Sequence, residues 1–405
     1  MEIRHVEQLL ESYLQKDERL VNFTQDKLLS AGENYGSTML KVNLLIEDKN
    51  GKQKIIKCVA KLVPPKGVLW DMFQTLSTFK KEISVYKTIV PLLNQFGKEH
   101  NIKCILPFFA EHYNSRVTLN PNSNDVDDDA IILMENLQEK GYKLENRFVG
   151  FDKNAVIMII KSLATLHATT IAYKRAKPEE FQNKVLAHIG KCFVSKINEQ
   201  TKKLQLDCFM KFLENYPKLH HLSERMISGY RRGINSLCQN RTPNELFGTF
   251  IHGDLWTNNI LTKTIHENLT SIKLLDFQVA EYGNPGRDVI FFLYTSAQME
   301  LLQFVDDFLL IYYNHFIDIL KTLNCDSTPF TFDAFLQQVG DAAKETEFGR
   351  CLFFIHPVFT EKGKAVELKD IKTRADIVPS LEHIHPNGQI RFSLIIEDFA
   401  KRGWI

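Results

Sequence analysis

The stretch Phe250-Ile-His-Gly-Asp-Leu-Trp-Thr-Asn-Asn-Ile-Leu261 decides how this chain is read. Apolar residues lead in and out, but between them stand His252, Gly253, Asp254, Trp256, Asn258 and Asn259. Buried polar groups without partners cost about 1–3 kcal/mol each, so such an interruption needs a reason. One reason is chemical. Asp254 followed five residues later by Asn259 has the spacing of a phosphotransfer loop. There a carboxylate accepts the proton of an attacking alcohol, and an amide oxygen holds a magnesium ion that neutralises charge between phosphates. Asp276-Phe277-Gln278 closes a short apolar segment further on and offers a second carboxylate for Mg²⁺. His252 reads as an orienting residue and Gly253 as a tight turn. HGD alone could also be a metal-ligand pair or a loop cap.

Working outward, the chain has 405 residues, beyond the size at which one core usually keeps growing, so two lobes are expected. A formal net charge of +1 gives no global field to recruit nucleic acid. The seven cysteines are scattered and form no CxxC pair, which fits reduced buried thiols in a cytoplasmic protein. The N-terminal segment is charged from its second residue and reads as an amphipathic helix on the body, not a signal peptide. The apolar segment 304–320 carries Asp306, Asp307, Asn314, His315 and Asp318, so no membrane span is expected there.

The first third reads as strands at 37–47 and 53–63 around the hairpin signal Asn50-Gly51, a helix over 70–97, and strand-like segments at 104–113 and 129–137. Helical periodicity then takes over: a long helix over 151–174 with Val156, Ile159, Ile160, Leu163 and Leu166 inside, two more near 198–216 and 218–239, and helices again from about 286. The expected architecture is α+β and bilobal. Residues 1–136 form a small antiparallel sheet lobe with one long helix, 137–405 a large, mainly helical lobe, and the hinge lies near 134–140.

The first lobe carries parts for a nucleotide. Lys61 lies in the apolar strand "CVAKLV", where a cleft-facing ammonium must be paired or bind phosphate. Glu82, on the long helix, is its candidate partner. Gly32, Gly36 and Ser37 in "AGENYGST" could lay backbone amides over phosphates. Backbone groups of Glu135 and Leu137 could meet an adenine edge. Each of these has an ordinary alternative: a turn, an edge-strand lysine, a solvated helix face. Their order along the chain is what favours a kinase-like phosphotransferase.

With these residues in view, the chain resembles the ecdysteroid kinase-like family, related to the choline and aminoglycoside phosphotransferases. The resemblance rests on "ENYGS", "FKKEISVYKTIVP", "ILMENL", "LATLHA", "FIHGDLWTNNIL", "LLDFQVAEYGNPGRDVIFFL" and "FFIHPVFTEKGK". It implies the protein-kinase fold, ATP and Mg²⁺, and transfer to a hydroxyl of a small molecule such as an ecdysteroid or a xenobiotic. By the same resemblance Asp254 is the catalytic aspartate, Asn259 and Asp276 hold the metal, Lys61 and Glu82 position phosphate, and Asp288 supports the loop. Only a short stretch separates Gln278 from Arg287-Asp288, which leaves no room for a peptide-binding activation segment. A small, apolar acceptor is expected, with Trp256 a candidate for its wall or for the core. The alternative is a catalytically weak nucleotide- or ligand-binding protein.

Overall fold

The computed structural model describes residues 3–28, 37–64, 66, 70–71, 74–190, 198–266, 269–361 and 384–405. Strands β1 (Glu18–Lys27), β2 (Thr38–Asp48), β3 (Gln53–Leu62), β4 (His112–Arg116) and β5 (Ile131–Glu135) make one antiparallel sheet in the order β1-β2-β3-β5-β4. Leu40, Val42, Leu44 and Ile46 alternate along β2 and are all buried, because period two puts them on one face. They pack with Cys58, Ala60 and Leu62 of β3 and Ile131 and Leu133 of β5. The N-terminal Ile3, Val6, Leu9 and Leu10 cover this face. The helix there, α1 (Val6–Leu10), is only five residues long, shorter than the apolar spacing out to Leu14 implied.

Lys61 has the opposite parity on β3 and therefore faces the other side of the sheet. That side is covered by α2, which runs through Thr75–Ser84, a π-helical turn at Val85–Ile89, and Val90–Glu99. Its Phe79, Ile83, Tyr86, Ile89, Leu93 and Phe96 are buried at helical spacing and join the core of the second lobe. The sheet lobe thus has one core of its own and shares the other.

In the second lobe α3 (Lys153–Ala176) is capped by Asp152 and buries Val156, Ile159, Ile160, Leu163 and Leu166 completely. It is long and apolar enough to cross a membrane, but most of it is enclosed by the lobe, as for a core helix. Around it stand α4 (Glu199–Leu213), α5 (Ser223–Leu237), α6 (Pro285–Ser296), α7 (Val305–Thr322), α8 (Phe332–Ala342), α9 (Phe348–Phe359) and α10 (Pro386–Lys401). Two small sheets interrupt them. One orders β6 (Lys143–Leu144), β8 (Ile260–His266) and β9 (Leu269–Leu274) as β6-β8-β9; the other pairs β7 (Thr249–Ile251) with β10 (Glu281–Gly283).

Several sequence expectations are corrected. The segment 104–111 is irregular and only β4 forms a ladder; its one pairing is a parallel bridge of Phe109 with Leu274, where Phe108 accepts a hydrogen bond from the Leu274 amide at 2.8 Å. Strand β1 was not anticipated; it is a half-exposed edge strand with little apolar alternation to mark it. Cys104 is exposed, whereas Cys58 and Cys351 are buried; the described cysteines are all free.

One glycine sets how α3 docks. Gly150 has φ +88°, and a Cβ there would lie 2.5 Å from the Ser296 carbonyl oxygen. Next to it, Phe151 donates to Ser296 O at 2.8 Å and accepts from the Gln298 amide at 3.0 Å, tying the start of α3 to the end of α6. Gly150→Ala should destabilise the fold by at least about 1–2 kcal/mol from the left-handed backbone alone. A urea-unfolding midpoint equal to that of the wild type would refute this docking.

Candidate active site

The polar interruption at 250–261 becomes a loop between β7 and β8. Asp288, in the first turn of α6, accepts hydrogen bonds from the His252 amide at 2.6 Å and the Gly253 amide at 2.9 Å. Its carboxyl is held below the ordinary range: burial opposes ionisation, but His167, His252 and the loop amides outweigh it. His167 in turn contacts Asp288 at 3.3 Å and Tyr312 Oη at 2.7 Å, so it is a core histidine with both ring nitrogens engaged. Gly253 has φ +78°, and a Cβ would sit 2.7 Å from Val279 O. Only glycine fits this turn without strain.

His252 is fully buried. Its Nε2 donates to Leu275 O at 2.9 Å, and its Nδ1 accepts from the Asp254 amide at 3.2 Å. The ring therefore ties the backbone of Asp254 to the segment leading into Asp276, which makes His252 a positioning residue. Asn259 Nδ2 donates to Asp254 O at 2.7 Å and lies 3.3 Å from Asp254 Oδ2. The Leu275 amide donates to Asn259 O at 2.9 Å. Asp254, Asn259 and Asp276 are thus stitched into one unit. Burial pushes the Asp254 carboxyl up and the nearby Asp276 adds to this, while Arg350 and His252 oppose it.

The sheet lobe meets this unit through Lys61. Its side chain is 3% exposed, and its ammonium lies 2.5 Å from Glu82 Oε2 and 2.8 Å from Asp276 Oδ1. One cation thus joins β3, α2 and the loop after β9. Asp276 adopts φ +65°, a left-handed backbone that non-glycine residues seldom take and that concentrates at functional sites. Burial pushes the Glu82 carboxyl above its ordinary range; the Lys61 ammonium opposes this and the second carboxylate, Asp276, adds to it.

The remaining expected positions are more dispersed. Gly32 and Gly36 lie outside the described residues. Ser37 is buried just before β2, its hydroxyl 3.6 Å from Met39 Sδ. The amide of Glu135 already donates to Glu111 O at 3.0 Å, so it is not open to a ligand edge. The Glu135 carboxylate accepts from the Glu111 amide at 2.8 Å and pairs with Lys140. Leu137 begins the turn capped by the Asn136 side chain. Trp256 is half-buried, with its ring edge-on to Phe354 at 5.8 Å. Among the described residues no three His, Cys, Asp or Glu side chains gather as a metal cluster.

Sequence reading missed the partner of the Asp254 carboxylate. Arg350, at the start of α9, approaches Asp254 Oδ1 at 3.0 Å from 96 positions away. Nothing in "EFGRCLFF" marks it, because only the packing of α9 brings it to the loop. For the cation at the centre of the site, Lys61→Met should destabilise the protein by about 3–5 kcal/mol, since two carboxylates lose their shared charge. Lys61→Met/Glu82→Gln should recover part of that loss. Equal urea stabilities for the wild type and Lys61→Met would refute the pairing.

The chain resembles the solved ethanolamine kinase of Plasmodium vivax, with 14% identity over 95% of this chain and 83% of that one and a TM-score of 0.39. It also resembles an aminoglycoside 2'-phosphotransferase-IIIa in its GDP complex, with 12% identity over 94% of both chains and a TM-score of 0.41. No curated protein matches the chain. The assignment rests on the family match, which spans residues 31–325 and includes Lys61, Glu82, Asp254, Asn259 and Asp276. With a match over well more than half its length, the chain belongs to the ecdysteroid kinase-like family.

Proposed function

We propose that this protein transfers the γ-phosphoryl group of ATP, with Mg²⁺, to a hydroxyl of a small apolar alcohol such as an ecdysteroid or a xenobiotic. The observation that carries this is the Lys61 ammonium held between Glu82 and Asp276, with Asp276 stitched through Leu275 to Asn259 and Asp254. Three separate stretches converge on the arrangement that phosphoryl transfer requires.

Each residue then has a task. Lys61, oriented by Glu82, meets a phosphate of the nucleotide. Asp254 accepts the proton of the acceptor hydroxyl; its burial-raised carboxyl suits that role, while His252 and Asp288 hold its backbone. The donor set suits magnesium. Asn259 uses its amide nitrogen on Asp254, so its oxygen is left to accept, and Asp276 uses Oδ1 on Lys61, which leaves Oδ2. One carboxylate and one amide oxygen match a cation that takes its other ligands from phosphates and water. When bound there, Mg²⁺ neutralises charge between the phosphates.

The apolar acceptor is supported by side chains near the base. Trp256 stands two residues beyond Asp254 against Phe354, and Phe353 is also partly exposed on α9. The name of the family points the same way.

The test is a screen of Mg-ATP consumption against ecdysteroids, other sterols, glycosides and amino-alcohols, with mass detection of phosphorylated product. Asp254→Asn should lower turnover on the accepted alcohol by ~10²–10⁴-fold. Mg-ATP at ~100 times its Kd should stabilise the fold by ~2.7 kcal/mol, and Asp276→Asn should remove the Mg²⁺-dependent part. Stabilisation without product from any alcohol would mean a binding protein and not a kinase. Wild-type turnover by Asp254→Asn would remove it as the base.

A further inference from the structure

We propose that Arg350 is the positioning residue of the base, holding one carboxylate oxygen of Asp254 so that the other is presented to the acceptor. This rests on the assignment of Asp254 above and extends it to a helix beyond the matched residues 31–325.

The geometry is specific. Arg350 Nη2 donates both to Gly253 O and to Asp254 Oδ1, the latter at 3.0 Å. The guanidinium carbon lies 3.7 Å from the ring centroid of Phe291 and 5.6 Å from that of Phe354, which fixes the plane of the group. Behind it runs a chain of alternating charge. Arg350 Nη1 is 3.4 Å from Glu347 Oε2, and Glu347 Oε1 accepts from Arg287 Nε at 3.0 Å. Arg287 pairs with Glu281, and Glu281 is 3.2 Å from Arg241 Nη2. Asp254 ends this chain, with its side chain 25% exposed.

Two physical arguments turn the contact into a role. First, buried ion pairs contribute little net stability compared with apolar side chains of similar volume, so stability alone does not account for the chain. Second, the arginine opposes the basicity of Asp254, so it does not make the base stronger. What it supplies is orientation. The terminal torsion of an aspartate is broad, and without a fixed donor the carboxylate samples many angles. Arg350 pins Oδ1. Asn259 Nδ2 borders Oδ2 at 3.3 Å, and this oxygen remains to accept from a hydroxyl.

Arg350→Met alone leaves Glu347 with one partner fewer in the interior and can unfold for that reason. Arg350→Met/Glu347→Gln removes a charge of each sign and keeps the rest of the chain balanced. In the double variant we expect a crystal structure to show the Asp254 carboxylate rotated from its present orientation. We expect kcat on the accepted alcohol to fall about 100-fold, with KM for Mg-ATP unchanged. Arg350→Lys, which keeps a charged donor, should recover part of kcat. An unmoved Asp254 in the folded double variant overturns the proposal, whatever the protein phosphorylates. So does a rotated Asp254 with wild-type kcat. Failure of the kinase reading appears separately, as undiminished turnover by Asp254→Asn.

Discussion

The structure depends on an ammonium that cannot be left alone. Lys61 sits in an apolar strand with almost no contact with water, and its charge must be met inside the protein. Two carboxylates meet it, one from the helix of the same lobe and one from the loop after β9 in the other. Because one cation serves both, the relative placement of β3, α2 and Asp276 is set together. The left-handed backbone of Asp276 is a local strain that this placement sustains.

The second constraint is satisfaction of the loop at 250–261. Asp288 receives two of its amides, His252 links the Asp254 backbone to Leu275, and Asn259 closes on Asp254. The loop is therefore rigid through hydrogen bonds, and its apolar ends, Phe250, Ile251 and Ile260, are fully buried. Thr257 is the exception: its buried hydroxyl has no partner among the described residues.

Much of this was legible because periodicity and spacing are local. Asn50-Gly51 marked the turn between the strand-like segments that became β2 and β3, and the inner face of α3 was legible residue by residue. The pairing of Lys61 with Glu82 could be guessed from a cleft-facing lysine and a helical glutamate in the right order. The edge strand β1 gave no such signal, since a half-exposed strand lacks a clean alternation. The stretch 104–111 misled in the opposite way: its apolar content reflects burial, which a strand and an irregular segment share. The π-helical turn in α2 is a matter of one added residue and leaves no compositional mark.

By itself the sequence determined the groups on offer: carboxylate and amide oxygens, a strand lysine with a helical glutamate, and the order in which they occur. It did so because each of these lies within a short motif whose local structure follows from a few residues. Only the tertiary structure decided that Lys61 serves Asp276 as well as Glu82, that the Glu135 amide is already engaged, and that Arg350 reaches Asp254 across 96 positions. Those pairings depend on how helices pack and on which buried charges balance one another. Both are properties of the assembled core, and no stretch of neighbouring residues encodes them.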